Sequence, residues 1–212
     1  MTTSETVANA LLSIGAVGFS LEQPIVFKSG MKSPVYVDNR RLPFHPKEWQ
    51  VVLDGFASLI EEKQLQFDII GGIETAGIPH SAALGFLLQK PSIFVRKKVK
   101  DHGTKSRVEG GDVRDKVVVL LEDLVTTGSS SLAGVEALRE SGAIVSDCLV
   151  IVSYEFADSV NSFAQAAVDL HALTSFTDIL QTAVKQEKIT SKQKLVVEAW
   201  LADPWGWGKQ FG

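Results

Sequence analysis

Apolar positions along the chain fall into two kinds of run, one unbroken and one recurring at helical spacing. Residues 117–121 (VVVLL) are five consecutive apolar side chains, mostly β-branched. Such a run predicts a strand buried on both faces, as in the middle of a parallel sheet. Residues 67–72, 92–95, 144–152 and 168–173 read as further strands. Between these runs the spacing is helical. Thr2 and Glu5 stand at capping-box distance before Val7, Ala8, Leu11 and Leu12, which share one face of a first helix ending near Gly15. A helix over 46–63 puts Trp49, Val52, Leu53, Phe56 and Ile60 on one side. Others are predicted over 79–88, through Leu132, Val135 and Leu138 up to Ser141, and over 158–167, 176–184 and 191–201.

Strands alternating with helices specify an α/β fold, a doubly wound and mainly parallel sheet with helices on both faces and right-handed crossovers. Residues 26–40 break that alternation. They read as strand, turn centred on Gly30, and strand, with Pro34 near a strand start where its missing N–H is tolerated. The expectation is a hairpin hood outside the sheet. Residues 1–212 are thus expected to form a single domain, with the hood at about 1–45, the core at about 46–185, and a C-terminal helix and tail at about 186–212.

The strand at 117–121 runs directly into Glu122 and Asp123 and then into Leu124-Val125-Thr126-Thr127-Gly128-Ser129-Ser130 before the next helix. A helix start offers free N–H groups and a dipole that favour an anion, and ligands in open α/β sheets gather beyond the strand carboxyl ends. The carboxylates suit sugar hydroxyls and the turn suits a phosphate. An ordinary strand–loop–helix junction capped by Thr126 or Ser129 is the plainer alternative.

Composition narrows the class. With 45% hydrophobic and 22% charged residues in 212, the chain has the make-up of a globular protein with one substantial core. A net charge of −4 gives no general reason to expect nucleic acid or an anionic membrane, and no apolar run approaches the roughly 18 residues that span a bilayer. A cytoplasmic location is expected, since the amino terminus lacks a signal pattern. The single Cys148 excludes an internal disulfide and reads as a small core residue.

Against that acidic background, residues 96–107 carry six Lys or Arg side chains, with His102, against one carboxylate. A solvated basic loop is the usual fate of such a run. The alternative is a lid over a multiply charged anion, with Gly103 giving it freedom to move.

Residues 117–131 resemble the phosphoribosyl diphosphate (PRPP) signature of type I phosphoribosyltransferases, an apolar strand followed by two acids, two variable residues, Thr-Thr-Gly and a small residue. The R-K-x-x-K-D-H-G run at 96–103 is similar to the mobile catalytic loop of the orotate phosphoribosyltransferases. Phe27-Lys28-Ser29-Gly30 through Ser33-Pro34-Val35-Tyr36 resembles the same family's orotate-covering segment. The resemblance implies transfer of the phosphoribosyl group from PRPP to orotate, giving orotidine 5′-monophosphate and diphosphate. It implies that Arg96, Lys100 and His102 gather on the diphosphate with Lys97 nearby, and that Glu122 and Asp123 bind the ribose hydroxyls; Asp123 counts with Arg96, Lys100 and His102 as catalytic. Thr126, Thr127, Gly128, Ser129 and Ser130 would hold the 5′-phosphate, with Thr126 also near the orotate and Leu124 and Val125 as further substrate-binding residues; Lys28 would approach PRPP, and the backbone from Ser33 to Tyr36 would cover the base. Mg²⁺ is implied, held mainly by PRPP rather than by a protein cage, as is a homodimer whose lid is shared between subunits.

Two positions depart from the family pattern. Tyr154 stands where many members carry an Arg for the orotate carboxylate, and Thr75-Ala76 stands where a Tyr-Lys pair often meets the diphosphate. Another base and a PRPP-sensing regulator are therefore the rival readings. The regulator is disfavoured by the cation-rich loop and by the lack of a basic helix suited to DNA. His45, His80 and His171 read as structural, Glu74 as either a contact or a helix-start acid, and the tail tryptophans as sealing an apolar surface.

Overall fold

The computed structural model describes residues 1–27, 29–98 and 106–211. Helix α1 (Thr3–Ser13) opens with the expected capping box: Thr2 accepts from the Glu5 N–H while the Glu5 carboxylate accepts from the Thr2 N–H. Its face of Val7, Ala8, Leu11 and Leu12 is buried.

The hood departs from the single hairpin expected over 26–40. Strand β1 (Val17–Phe19) pairs antiparallel with β4 (Val35–Val37), while β2 (Ile25–Val26) pairs with β3 (Lys32–Ser33). The reason is Pro34, which lies between β3 and β4, cannot donate to a ladder, and lets the chain change partner. Its carbonyl still accepts from the Ser20 N–H at 2.6 Å. Strand β1 is too short to announce itself by alternation. Gly18 is required there because the Tyr36 ring fills the space a side chain would use, with Tyr36 Cε1 only 2.0 Å from an added Cβ.

A 3-10 segment (Asn39–Phe44) leads into α2 (Pro46–Glu62). The sheet then begins with β5 (Ile69–Ile73), followed by α3 (Gly77–Leu88), β6 (Ser92–Val95), β7 (Val108–Glu109), β8 (Val118–Val125), α4 (Ser129–Glu140), β9 (Asp147–Ser153), α5 (Ala157–Gln165) and β10 (Asp169–Ser175). Its order is β10-β9-β8-β5-β6-β7, parallel except for β7, which turns back antiparallel on β6. From β5 the chain goes first to β6 on one side and later to β8 on the other, so the strand order reverses between β5 and β8. That crevice is where an open α/β sheet receives its ligand.

Alternation along the strands divides the core in two. Val119, Leu121, Leu149, Ile151 and Leu173 join the cluster containing α1, α2 and the C-terminal helices, and Val118, Leu120, Cys148 and Val150 join the one containing α4 and α5 residues. Cys148 is buried as expected. Helix α6 (Phe176–Lys185) is capped by Ser175, and α7 (Ser191–Ala202) carries a Thr190/Gln193 capping box. The tail ends in α8 (Pro204–Gly208) and a 3-10 turn (Lys209–Phe211). The wholly buried Trp200 of α7 donates its indole N–H to the Lys32 carbonyl at 2.9 Å, tying the C-terminal layer to the hood. None of the described helices is long and apolar enough to cross a membrane.

Candidate active site

Strand β8 positions the acids. It continues through Val125 rather than stopping at Leu121, because β9 pairs with Leu124 and Val125 through Val152 and Ser153. Glu122 and Asp123 therefore lie within the strand and leave it on opposite faces. Glu122 continues the face toward α4, where Ser130 Oγ donates to its Oε2 at 3.5 Å. The other face meets the hood: Asn39, wholly buried, donates its side-chain N–H to the Asp123 carbonyl at 2.7 Å.

Beyond the strand the chain enters α4 through Gly128, whose φ of +79° is the left-handed region that favours glycine. An added Cβ there would lie 2.8 Å from Phe163 Cε2. Gly128, not Thr126 or Ser129, is the cap residue, and no side chain caps the helix. The first-turn N–H groups of α4 are thus left for an incoming anion. Thr127 and Ser129 hydroxyls lie 3.0 Å apart beside them.

A cleft of about 690 Å³ joins these parts. It is lined by Glu122, Asp123, Leu124, Thr126, Thr127, Ser129, Ser130 and Lys97 of the expected set, with Phe27, Ser29, Arg107 and Ala133 in addition. Val125 and Gly128 are buried outside the lining, so they can contribute backbone only. Arg96 turns to Glu109 at 3.4 Å, and the 40% exposed Tyr36 ring lies over Gly18; neither side chain lines the cleft. Lys28, Lys100 and His102 lie outside the described residues. Phe27 and Ser29 belong to the segment that resembles the orotate cover, and Arg107 ends the basic run, so all three carried a signal. Ala133 carried none.

Burial sets the charge of the acid pair. Glu122 is 5% exposed, and desolvation, helped by the charge of Asp123, pushes its carboxyl up to about 9. Desolvation raises Asp123 as well, while Lys97 favours the ionised form of both. This burial therefore keeps a proton on Glu122 at neutral pH. Glu74 accepts from the Lys97 N–H at 2.9 Å and so holds the start of the basic segment.

The remaining expectations concern structural residues. His80 is buried, accepts from Trp49 Nε1 at 2.9 Å and is pushed down to about 4 by desolvation. His171 meets Asp147 at 2.7 Å, and His45 stacks edge-on to Phe44. Tyr154 does not line the cleft. It lies in an aromatic cluster, stacked on Phe156 and Phe176 with Trp200 edge-on, and its hydroxyl has no hydrogen-bond partner among the described residues.

Known proteins match the chain over most of its length. The family model for the phosphoribosyl transferase domain matches residues 44–159. The chain is 41% identical over 207 residues to the orotate phosphoribosyltransferase of Levilactobacillus brevis, covering 98% of this chain and 99% of that protein. It is 38% identical to that of Coxiella burnetii with the same coverage. The crystal structure of orotate phosphoribosyltransferase from Aeropyrum pernix matches with a TM-score of 0.74 at 32% identity, over 87% of this chain and 99% of that one.

Proposed function

The chain belongs to the orotate phosphoribosyltransferases, within the phosphoribosyl transferase domain family, and from that premise we propose how its residues transfer the 5-phosphoribosyl group of PRPP to orotate. The reaction forms a bond from an orotate ring nitrogen to ribose C1 and breaks the C1–O bond to diphosphate, yielding orotidine 5′-monophosphate in pyrimidine biosynthesis. Its barrier lies in separating charge: a cationic ribosyl centre develops as a polyanion departs.

The observation that carries the assignment is the convergence, in one cleft, of the Glu122/Asp123 pair, the open first turn of α4 and the Lys97 cation. Glu122 and Asp123 hold the ribose hydroxyls, and the backbone from Leu124 to Ser130 with its hydroxyl side chains holds the 5′-phosphate. Asn39 keeps Asp123 in place from the hood side. Lys97 acts on the diphosphate, joined by Arg96, Lys100 and His102 of the basic segment; Lys28 approaches PRPP from the hood. For Arg96 this requires leaving Glu109, an exchange of one anion for a stronger one. Phe27 and Ser29 roof the cleft and keep water, a rival nucleophile, from the ribosyl centre.

Mg²⁺ fits this donor set as a PRPP complex. Among the described residues no three His, Cys, Asp or Glu side chains are grouped to hold an ion alone, whereas phosphate oxygens suit a hard cation that keeps its waters. Bound there, the ion neutralises charge on the diphosphate. The working unit is a homodimer in which each basic segment serves its neighbour. The cytoplasm, where PRPP and orotate are available, is its location.

The test is loss of orotate absorbance on mixing protein, PRPP, Mg²⁺ and orotate, with uracil, adenine and hypoxanthine alongside. Turnover with orotate alone is expected; turnover with another base would overturn the specificity. Asp123→Asn should weaken PRPP binding about tenfold, as loss of a charged hydrogen bond does. Wild-type affinity in that variant would remove the pair from the ribose.

A further inference from the structure

Arg107 is half-buried, lines the cleft and has no carboxylate within ion-pairing distance among the described residues. Glu109, two residues on, pairs with Arg96 instead. Two carbonyls hold its guanidinium: Nε donates to the Arg96 carbonyl at 2.8 Å and Nη1 to the Ala133 carbonyl at 3.1 Å. The first tether is reciprocal, because the Arg96 N–H donates to the Arg107 carbonyl at 2.8 Å. A guanidinium has five N–H groups, so three remain without a partner among the described residues, including both on Nη2.

We propose that Arg107 is a further substrate-binding residue of this cleft, a pre-set fork that takes a phosphate group of the bound substrate. The inference rests on the reading above. Ala133 lies three and four residues beyond Ser130 and Ser129, on the same side of α4. Its carbonyl holds the guanidinium beside α4, in the cleft that Ser129 and Ser130 of the first turn also line. The arrangement brings a planar cation and a helix start to one anion. Neutral carbonyls orient the fork without cancelling its charge, and orienting it in advance spares part of the ordering cost of binding. Lysine could supply the charge but not two tethers and a free edge together. A half-buried cation without an acid beside it among the described residues is costly, and a bound phosphate removes that cost.

The two products separate the two phosphate positions. Orotidine 5′-monophosphate carries the ribose 5′-phosphate, and diphosphate is the leaving group. Calorimetric titration of wild type, Arg107→Gln and Arg107→Lys with each product is the experiment. Arg107→Gln should weaken one of them by roughly tenfold to a hundredfold, the usual effect of losing a charge-assisted pair, with Arg107→Lys in between. Selective loss for orotidine 5′-monophosphate assigns the fork to the 5′-phosphate, and selective loss for diphosphate assigns it to the leaving group. Unchanged affinity for both, or equal loss for both with a lowered Tm, would overturn the proposal and leave Arg107 as a tether of the β6–β7 stem. If Arg107→Gln does not fold, Arg107→Lys, which keeps the charge, carries the same comparison. Failure of the wild type to bind either product would instead sink the site assignment itself.

Discussion

Glu122→Gln should make the unliganded protein less sensitive to alkaline pH. In the folded chain the Glu122 carboxyl sits at about 9 against an ordinary 4.5, because it is buried beside Asp123. Between those values the folded chain keeps a proton that the unfolded chain has released. The stability this confers is complete below pH 4.5 and is lost progressively as pH rises toward 9. Each pH unit in that window is worth a little over about 1 kcal/mol, so moving from pH 5.5 to 7.5 costs the wild type at most about 3 kcal/mol. Water entry and local relaxation bring the working expectation to roughly half of that or more. Gln keeps the shape and the acceptor for the Asp123 N–H, which Glu122 Oε1 receives at 3.1 Å, but it cannot titrate. Urea unfolding followed by tryptophan fluorescence at pH 5.5, 6.5 and 7.5 measures the difference. The variant should gain on the wild type by about 1–3 kcal/mol across the series. Parallel stability curves would refute the argument that burial holds the proton on Glu122.

Gly128→Ala should cost about 2–4 kcal/mol, combining a left-handed backbone with an added Cβ 2.8 Å from the buried Phe163 ring; a loss under about 0.5 kcal/mol in urea would show that the turn can adopt another shape. Tyr154→Phe should leave stability unchanged or raise it by up to about 1 kcal/mol, because the hydroxyl it removes has no partner among the described residues. A calorimetric loss of more than about 1 kcal/mol would show that the hydroxyl is satisfied in solution. Asn39→Ala leaves the Asp123 carbonyl without its 2.7 Å donor, so stability should fall by about 1–3 kcal/mol and PRPP affinity should fall with it; unchanged PRPP affinity would separate the hood from the acid pair.

What could be read from the sequence divides by the range of the interactions involved. Ser92–Val95 and the start of α1 were legible because local pattern decides them: an apolar run in one case, a capping box in the other. The acid pair and the α4 cradle were legible because they are contiguous in the chain. The end of β8 was not, since it is set by pairing with Val152 and Ser153 almost thirty residues away. Nor was the partner exchange in the hood, where the chain pairs β2 through β3 and then, through β4, the three-residue β1 that no periodicity marks. Asn39 was missed for the same reason, and Arg107, though part of the basic run, could not be given a role from it. Their contacts reach Asp123 and Ala133 across 84 and 26 positions, and no spacing rule connects them.

The Trp200 bond to Lys32 sets an order of events during translation. The hood leaves the ribosome early, but the indole that anchors its backbone stands 168 residues later. Glu5 likewise waits for Lys185, and Ser4 waits for Asp178. A nascent chain therefore carries its hood and first helix without their final partners while the sheet core accumulates behind them. The roof over the cleft can settle only after α7 has emerged, so ribosome-bound chains arrested before residue 200 should fold a sheet yet show no transferase activity.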